Sequence, residues 1–233
     1  MQKELPSVSV ILPVKNGAAY LAESLQSVTA QEHPPLEILV FDNGSADASS
    51  EIAASFPAVQ IFRNDPGLSI AAARNAGIRA ARGELLAFAS HDDLWSPDKL
   101  RLQATRFAES SELDFCVAHV RCFLDGELEA APAGLPADRV GCDLPGWLTE
   151  TLVARRRAFD HVGYFDERMQ QADDTDWLAR ARDAGLRWEM MAETLVEKRL
   201  HGANITYREE TRTRGNAEMI EIARRAIARK REG

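Results

Sequence analysis

Apolar residues in the front of the chain alternate between short continuous runs and runs at helical spacing. Ser7 to Val14 (SVSVILPV) is β-branched, apolar and stopped by Pro13 and Asn16-Gly17, which predicts a buried parallel strand. In AAYLAESLQSVTAQ, Tyr20 or Leu21, Leu25 and Val28 recur at helical spacing, and His33-Pro34-Pro35 ends the segment. The alternation repeats: Leu36 to Phe41 as strand, Ser45 to Phe56 as helix, Val59 to Phe62 as strand, Ser69 to Arg82 as helix closed by Gly83, and Glu84 to Ala89 as strand. Repeated strand-helix-strand steps imply right-handed crossovers and a largely parallel, Rossmann-like sheet covered by helices.

Beyond this half the pattern weakens. A helix opens after Ser96-Pro97, with proline at an early position, and Leu113 to Leu124 reads as a strand. Residues 125 to 146 are rich in Gly, Pro and Ala, predicting a long loop or flap, either closing over substrate or simply variable. At 233 residues the chain suits one domain, with 45% hydrophobic and 27% charged residues ordinary for a globular protein. A net charge of −8 argues against a general nucleic-acid binder. No apolar run reaches the roughly 20 residues of a membrane span, and MQKELPSVSV lacks a signal-peptide core, so a cytoplasmic protein is expected. Cys116, Cys122 and Cys142 form no CxxC pair, and strand alternation sets His119 opposite the first two, which argues against a zinc cluster.

In open parallel sheets, ligands sit beyond the carboxyl ends of the strands. The first strand ends in Pro13-Val14-Lys15-Asn16, the second in Asp42-Asn43-Gly44-Ser45, and the fourth in Ser90-His91-Asp92-Asp93. Each cluster alone is compatible with turn or cap chemistry. Together they concentrate carboxylates and amides in one crevice, where adjacent carboxylates call for a cation such as Mg²⁺ or Mn²⁺ shared with a diphosphate. Neither GxGxxG after the first strand nor GxxxxGK[ST] is present.

The ordered segments SVILPVKNGAAYLAESLQSVTAQ, LEILVFDNGSADAS, AAARNAGIRAARGELLAFASHDDLW, GYFDERMQQADDTDWLARARDAG and EKRLHGANIT resemble the motifs of glycosyltransferase family 2. The resemblance spans about residues 6 to 207 and implies the GT-A fold: an α/β, Rossmann-like nucleotide-diphospho-sugar transferase with a central, mostly parallel mixed sheet flanked by helices. It implies a glycosyltransferase domain over 1–207, with a nucleotide-binding half to about 96 and an acceptor half beyond. Residues 208–233 form a C-terminal basic amphipathic helix.

By that resemblance, Pro13, Val14 and Asn16 bind nucleotide. Asp42 accepts a hydrogen bond from the base, favouring UDP- or dTDP-sugars, and Arg74 faces the base or the diphosphate. Asp92 falls on the metal-carrying position with Asp93 as its neighbour. Ser90 stands where the family has an Asp, and can bond a ribose hydroxyl without supplying charge. His91 sits at a variable position; His201 is placed to help with metal or diphosphate. Asp174 matches the general base of a Glu-Asp pair whose Glu is here Asp173, and Trp177 either shapes the acceptor pocket or belongs to the core.

The implied reaction is metal-dependent, inverting, single-sugar transfer onto a glycan, lipid-linked or other hydroxyl acceptor. No QxxRW motif points to a processive enzyme. A catalytically weakened nucleotide-sugar-binding protein is the alternative, and a sugar nucleotidyltransferase fits less well because its glycine-rich phosphate loop is absent. Met219, Ile220, Ala223 and Ile227 form an apolar stripe on the terminal basic helix, able to dock on the domain, on a second copy, or peripherally on the inner face of an anionic membrane.

Overall fold

The computed structural model describes residues 4–126, 128, 130–132, 135–204 and 209–232. The front half follows the expected alternation: β1 (Val8–Val14), α1 (Leu21–Thr29), β2 (Glu37–Asp42), α2 (Ser49–Ala54), β3 (Val59–Arg63), α3 (Ile70–Ala80) and β4 (Leu85–Phe88). β5 (Leu94–Trp95), α4 (Lys99–Glu109), β6 (Phe115–Leu124), β7 (Asp143–Pro145), β8 (Val153–Arg155) and α5 (Arg156–Val162) come next. α6 (Asp173–Asp183), β9 (Trp188–Leu200) and α7 (Glu209–Glu232) complete the chain. The strands form one sheet in the order β3-β2-β1-β4-β8-β6-β9-β5, with β7 on β6. β3, β2, β1 and β4 run parallel, β8 is antiparallel to both β4 and β6, and β6 pairs with β9 in parallel.

Strand alternation explains the two cores. Val8, Val10, Leu12 and Val14 point to one face, where Leu21, Leu25 and Val28 of α1 and Leu100 and Phe107 of α4 meet them. Ile11, Leu39 and Phe41 point to the other, under α3, α5 and α6. Strands buried on both faces read as unbroken apolar runs, which is why β1, β2 and β4 were visible in the sequence. Gly77 makes the α3 packing close: a Cβ there would stand 2.4 Å from Cγ2 of Ile11.

The differences from expectation have local causes. α2 starts at Ser49 rather than Ser45 because Asp42, Ser45 and Asp47 spend their side chains on the turn. The expected 125–146 loop contains a 3-10 turn at Ala137–Arg139 and the edge strand β7, while residues 127, 129, 133 and 134 lie outside the described residues. β5, β8 and the long β9 were not expected, since the charges of WEMMAETLVEKRL mask its alternation. The anticipated boundary at 207–208 also falls outside the described residues. α7 packs on the domain through Ile222, against Met169 and Ala172, whereas Met219, Ile220 and Ile227 of the expected stripe are exposed. Among the described residues no helix is long and apolar enough to cross a membrane.

Gly77→Val places branched carbons inside Ile11. The expected loss is about 1–3 kcal/mol, or roughly 2–4 °C in melting temperature per kcal/mol. An unchanged thermal melt would contradict the close approach of α3 to β1.

Candidate functional site

The site begins where β1 and β2 end together, with Pro13 opposite Phe41 and Val14 opposite Asp42. Pro13 and Val14 are buried at that edge, and two turns are laced over it. Asn16 adopts φ 52°, a left-handed conformation that Asn tolerates. It donates its backbone N–H to Oγ of Ser45 at 2.9 Å and accepts from Ala46 N–H at 2.8 Å. Asp42 holds the same turn: one oxygen accepts from Ser45 N–H at 2.8 Å and the other from the Ser50 hydroxyl. Burial pushes the Asp42 carboxyl up, but the bonds from Ser50 and Ser45 outweigh it and hold it below the ordinary range. The turn-forming role of Asp42 is thus realised.

The acidic turn after β4 separates its neighbours. Asp92 is gathered into a polar knot: Oδ2 lies 3.1 Å from Nε2 of His201 and 3.2 Å from Nδ2 of Asn204, while Oδ1 accepts from the Ser90 hydroxyl. Nδ1 of His201 accepts from Ala203 N–H at 3.2 Å, which assigns the ring proton to Nε2, facing Asp92. Burial works against the Asp92 charge; the His201 bond, the His91 and Lys198 charges and the Ser90 hydroxyl outweigh it and hold the carboxyl well below the usual range. His91 packs beside Gly17, where a Cβ would stand 2.5 Å from its Cδ2.

Asp93 does not join this group. It is 1% exposed and accepts from Nζ of Lys198 at 3.2 Å and from Arg199 N–H at 3.0 Å. Adjacent residues in the bend thus face different partners, and Asp93, expected to share a metal site, lies in a buried ion pair with Lys198. Arg199 braces the turn as well, donating from Nε to the Asp92 carbonyl at 3.1 Å.

Two carboxylates converge on one guanidinium. Arg74, 9% exposed on α3, bonds Oδ2 of Asp173 at 2.7 Å and Oε1 of Glu150 at 3.3 Å. The residue expected at the base or diphosphate thus has its charge directed at these two side chains. Burial raises the neighbouring Asp174, and the charge of Asp173 raises it further, against the lowering effect of Arg74; the result is about 7. Asp176 pairs with Arg180 at 2.7 Å, one turn on. Trp177 is fully buried against Phe115 and Phe159 and donates its indole N–H to Gly163 O at 3.0 Å. Its acceptor-pocket role is corrected to a core role.

Sequence reasoning missed Glu150, Asn204, Lys198 and Arg199. Glu150 sits in a 3-10 turn, Thr149–Thr151, within an apolar stretch that has no periodic signature. The hint for Asn204 was its presence in HGAN beside His201.

Residues 9–138 match the family model described as Glycosyl transferase family 2. The chain is 27% identical over 222 residues to an uncharacterised glycosyltransferase of Rickettsia prowazekii, covering 86% of this chain and 66% of that protein. It is 31% identical over 203 residues to glycosyltransferase AglE of Haloferax volcanii, covering 79% of this chain and 64% of the relative. The chain thus spans less than two thirds of the length of AglE. The mannosyltransferase PcManGT of Pyrobaculum calidifontis, solved with GDP-Man and Mn²⁺, superposes with a TM-score of 0.73 at 21% identity, over 97% of this chain and 65% of that one. S. aureus TarS 1-349, solved with UDP-GlcNAc, superposes with a TM-score of 0.69 at 19% identity, over 85% of this chain and 60% of that one. The shared architecture is the GT-A fold.

With the folded value of Asp174 above the unfolded one, its contribution to stability is whole below about pH 4 and lost as the pH rises through about 7. Asp174→Asn is therefore expected to melt higher than the wild type at about pH 8, by a few degrees, and level with it near about pH 4. An equal difference at both pH values would contradict the raised carboxyl.

Proposed function

Because this chain belongs to glycosyl transferase family 2, we propose that it transfers a sugar from a nucleotide-diphosphate donor to an acceptor hydroxyl with inversion at the anomeric carbon. The feature that supports this reading best is the divergence of two carboxylates, Asp92 held ionised by its hydrogen-bond partners and Asp174 raised to about 7. Environments that push titratable groups apart mark different roles: an anion for charge binding and a base able to take a proton near neutral pH.

In the proposed reaction the acceptor hydroxyl oxygen attacks the anomeric carbon as its proton passes to Asp174. The bond from that carbon to the β-phosphate oxygen breaks, and the nucleoside diphosphate leaves with the electron pair. Burial and the neighbouring Asp173 carboxylate keep the base basic, against the lowering charge of Arg74, which holds Asp173 at 2.7 Å. The turn held by Asn16 and Asp42 over Pro13 and Val14 would receive the base, with a lone pair of Asp42 toward a ring N–H, as uracil and thymine offer. A UDP- or dTDP-sugar follows as the donor class, used in polysaccharide, glycolipid or cell-envelope glycan synthesis.

Asp92 suits Mn²⁺ or Mg²⁺, hard cations commonly held by one or two carboxylates with phosphate oxygens supplying much of the rest. Among the described residues no group of three His, Cys, Asp or Glu side chains converges, so diphosphate oxygens and water would complete the shell. Bound there, the cation supplies charge against the departing diphosphate. His201 as now placed donates to Asp92; ligation through Nε2 would require that proton to leave. Ser90 in place of a carboxylate, and Asp173 tied to Arg74, favour a second reading: a protein that binds nucleotide sugars with little turnover.

A thermal-shift panel of UDP-, dTDP-, GDP- and CDP-sugars with and without Mn²⁺ is expected to give its largest stabilisation with a uridine or thymidine nucleotide plus metal. Asp92→Ala should lose the Mn²⁺ increment. Asp174→Asn should keep donor binding and lose turnover by about 10²- to 10⁴-fold. Binding without turnover in the wild type would favour the second reading, and unchanged turnover in Asp174→Asn would overturn the base assignment.

A further inference from the structure

The first turn of α6 carries both acceptor-side aspartates, yet the residue before it cannot cap it: Ala172 has no side-chain oxygen to accept the orphan N–H groups. The stretch that leads into the helix is instead held by a residue far along the chain. Backbone N–H groups of Gln170, Gln171 and Ala172 all donate to the carboxylate of Glu218 on α7, each at 3.0 Å. A carboxylate receiving successive backbone N–H groups at a positive helix end is a strong, geometrically defined contact.

Its surroundings make it a clasp rather than an isolated bond. Ile222, one turn beyond Glu218, is 5% exposed and packs on Met169 and Ala172. Arg225 reaches Oδ2 of Asp166 at 3.1 Å, and Arg229 reaches Oδ2 of Asp183 at 2.7 Å, so α7 grips the approach to α6, its start and its end. From the opposite side, Asn75 on α3 holds Phe165, donating to its carbonyl at 2.9 Å and accepting from its N–H at 3.0 Å. The segment that presents Asp173 and Asp174 is thus held between α3 and α7. A Ser or Asn at 172 would cap the helix without adding charge.

We propose that Glu218 is a positioning residue for the reaction, fixing the first turn of α6 and with it the approach of Asp174 to the acceptor hydroxyl. This rests on the assignment of Asp174 as base. It gives α7 a role in the chemistry.

The test compares full-length wild type, Glu218→Ala, Glu218→Gln, the outward-facing control Ile227→Ser, and Asp174→Asn. Amide hydrogen exchange needs no substrate: Glu218→Ala should lose protection in the peptide spanning 169–174 while β1 stays protected. Glu218→Gln, keeping one acceptor oxygen, should fall between, and Ile227→Ser should match the wild type. Release of nucleoside diphosphate from UDP-N-acetylglucosamine and GDP-mannose gives the second readout. The expected result for Glu218→Ala is a fall in kcat of about 10- to 100-fold with donor KM within about twofold, because the nucleotide side is untouched. Unchanged exchange, or unchanged kcat in Glu218→Ala while Asp174→Asn is inactive, overturns the clasp and leaves the base assignment standing. Full turnover in Asp174→Asn removes the base assignment, and with it this proposal.

Discussion

The buried Arg74 guanidinium is the interaction on which the arrangement of the site depends. It leaves α3 and ends between Asp173 on α6 and Glu150 in the turn before β8. A single side chain thereby joins residues 76 and 99 positions away. A carboxylate left behind without it would be a buried, uncompensated charge, which is far costlier than the pair is stabilising. The ion triad is therefore better understood as a device for position than as a source of stability. At Asp174 the guanidinium charge acts against burial and the Asp173 charge, lowering what those two raise.

The acidic turn after β4 is built on the opposite principle. Around Asp92 hydrogen-bond donors outweigh burial, so the carboxylate stays charged; around Asp174 burial and like charge win. Asp93, next to Asp92 in sequence, shows how local this sorting is. It turns to Lys198 and Arg199 of β9 and ties the acidic turn to the far side of the sheet. Glu150 stands electrostatically between the two sites, adding to the field at both Asp93 and Asp174.

Much of the front half was legible because its information is local. Strands buried on both faces are continuous apolar runs, and the turns that follow them carry Asn16, Asp42 and Asp92 as sequence clusters at strand ends. What was not legible depends on distant partners. β8 is a strand only because β4 and β6 flank it, and β9 hides its alternation under charge. An Arg on an Ala-rich helix gave no sign that it would meet residues 76 and 99 positions away. Trp177 had two readings of equal chemistry, and packing against Phe115 and Phe159 chose the core. The Asp176–Arg180 pair, spaced by one helical turn, is the contrasting case: nothing beyond the helix is needed to form it.

The central claim is that Asp174 acts as a base whose affinity for a proton is set by its neighbours. The most direct measurement is the pH dependence of kcat for nucleoside diphosphate release, wild type against Arg74→Gln, from about pH 5 to about pH 9. The account predicts a rate that climbs through about 7 and then levels in the wild type, and a midpoint displaced upward in Arg74→Gln, where the lowering charge is gone. A flat profile, or a midpoint that does not move when Arg74 is neutralised, would contradict it.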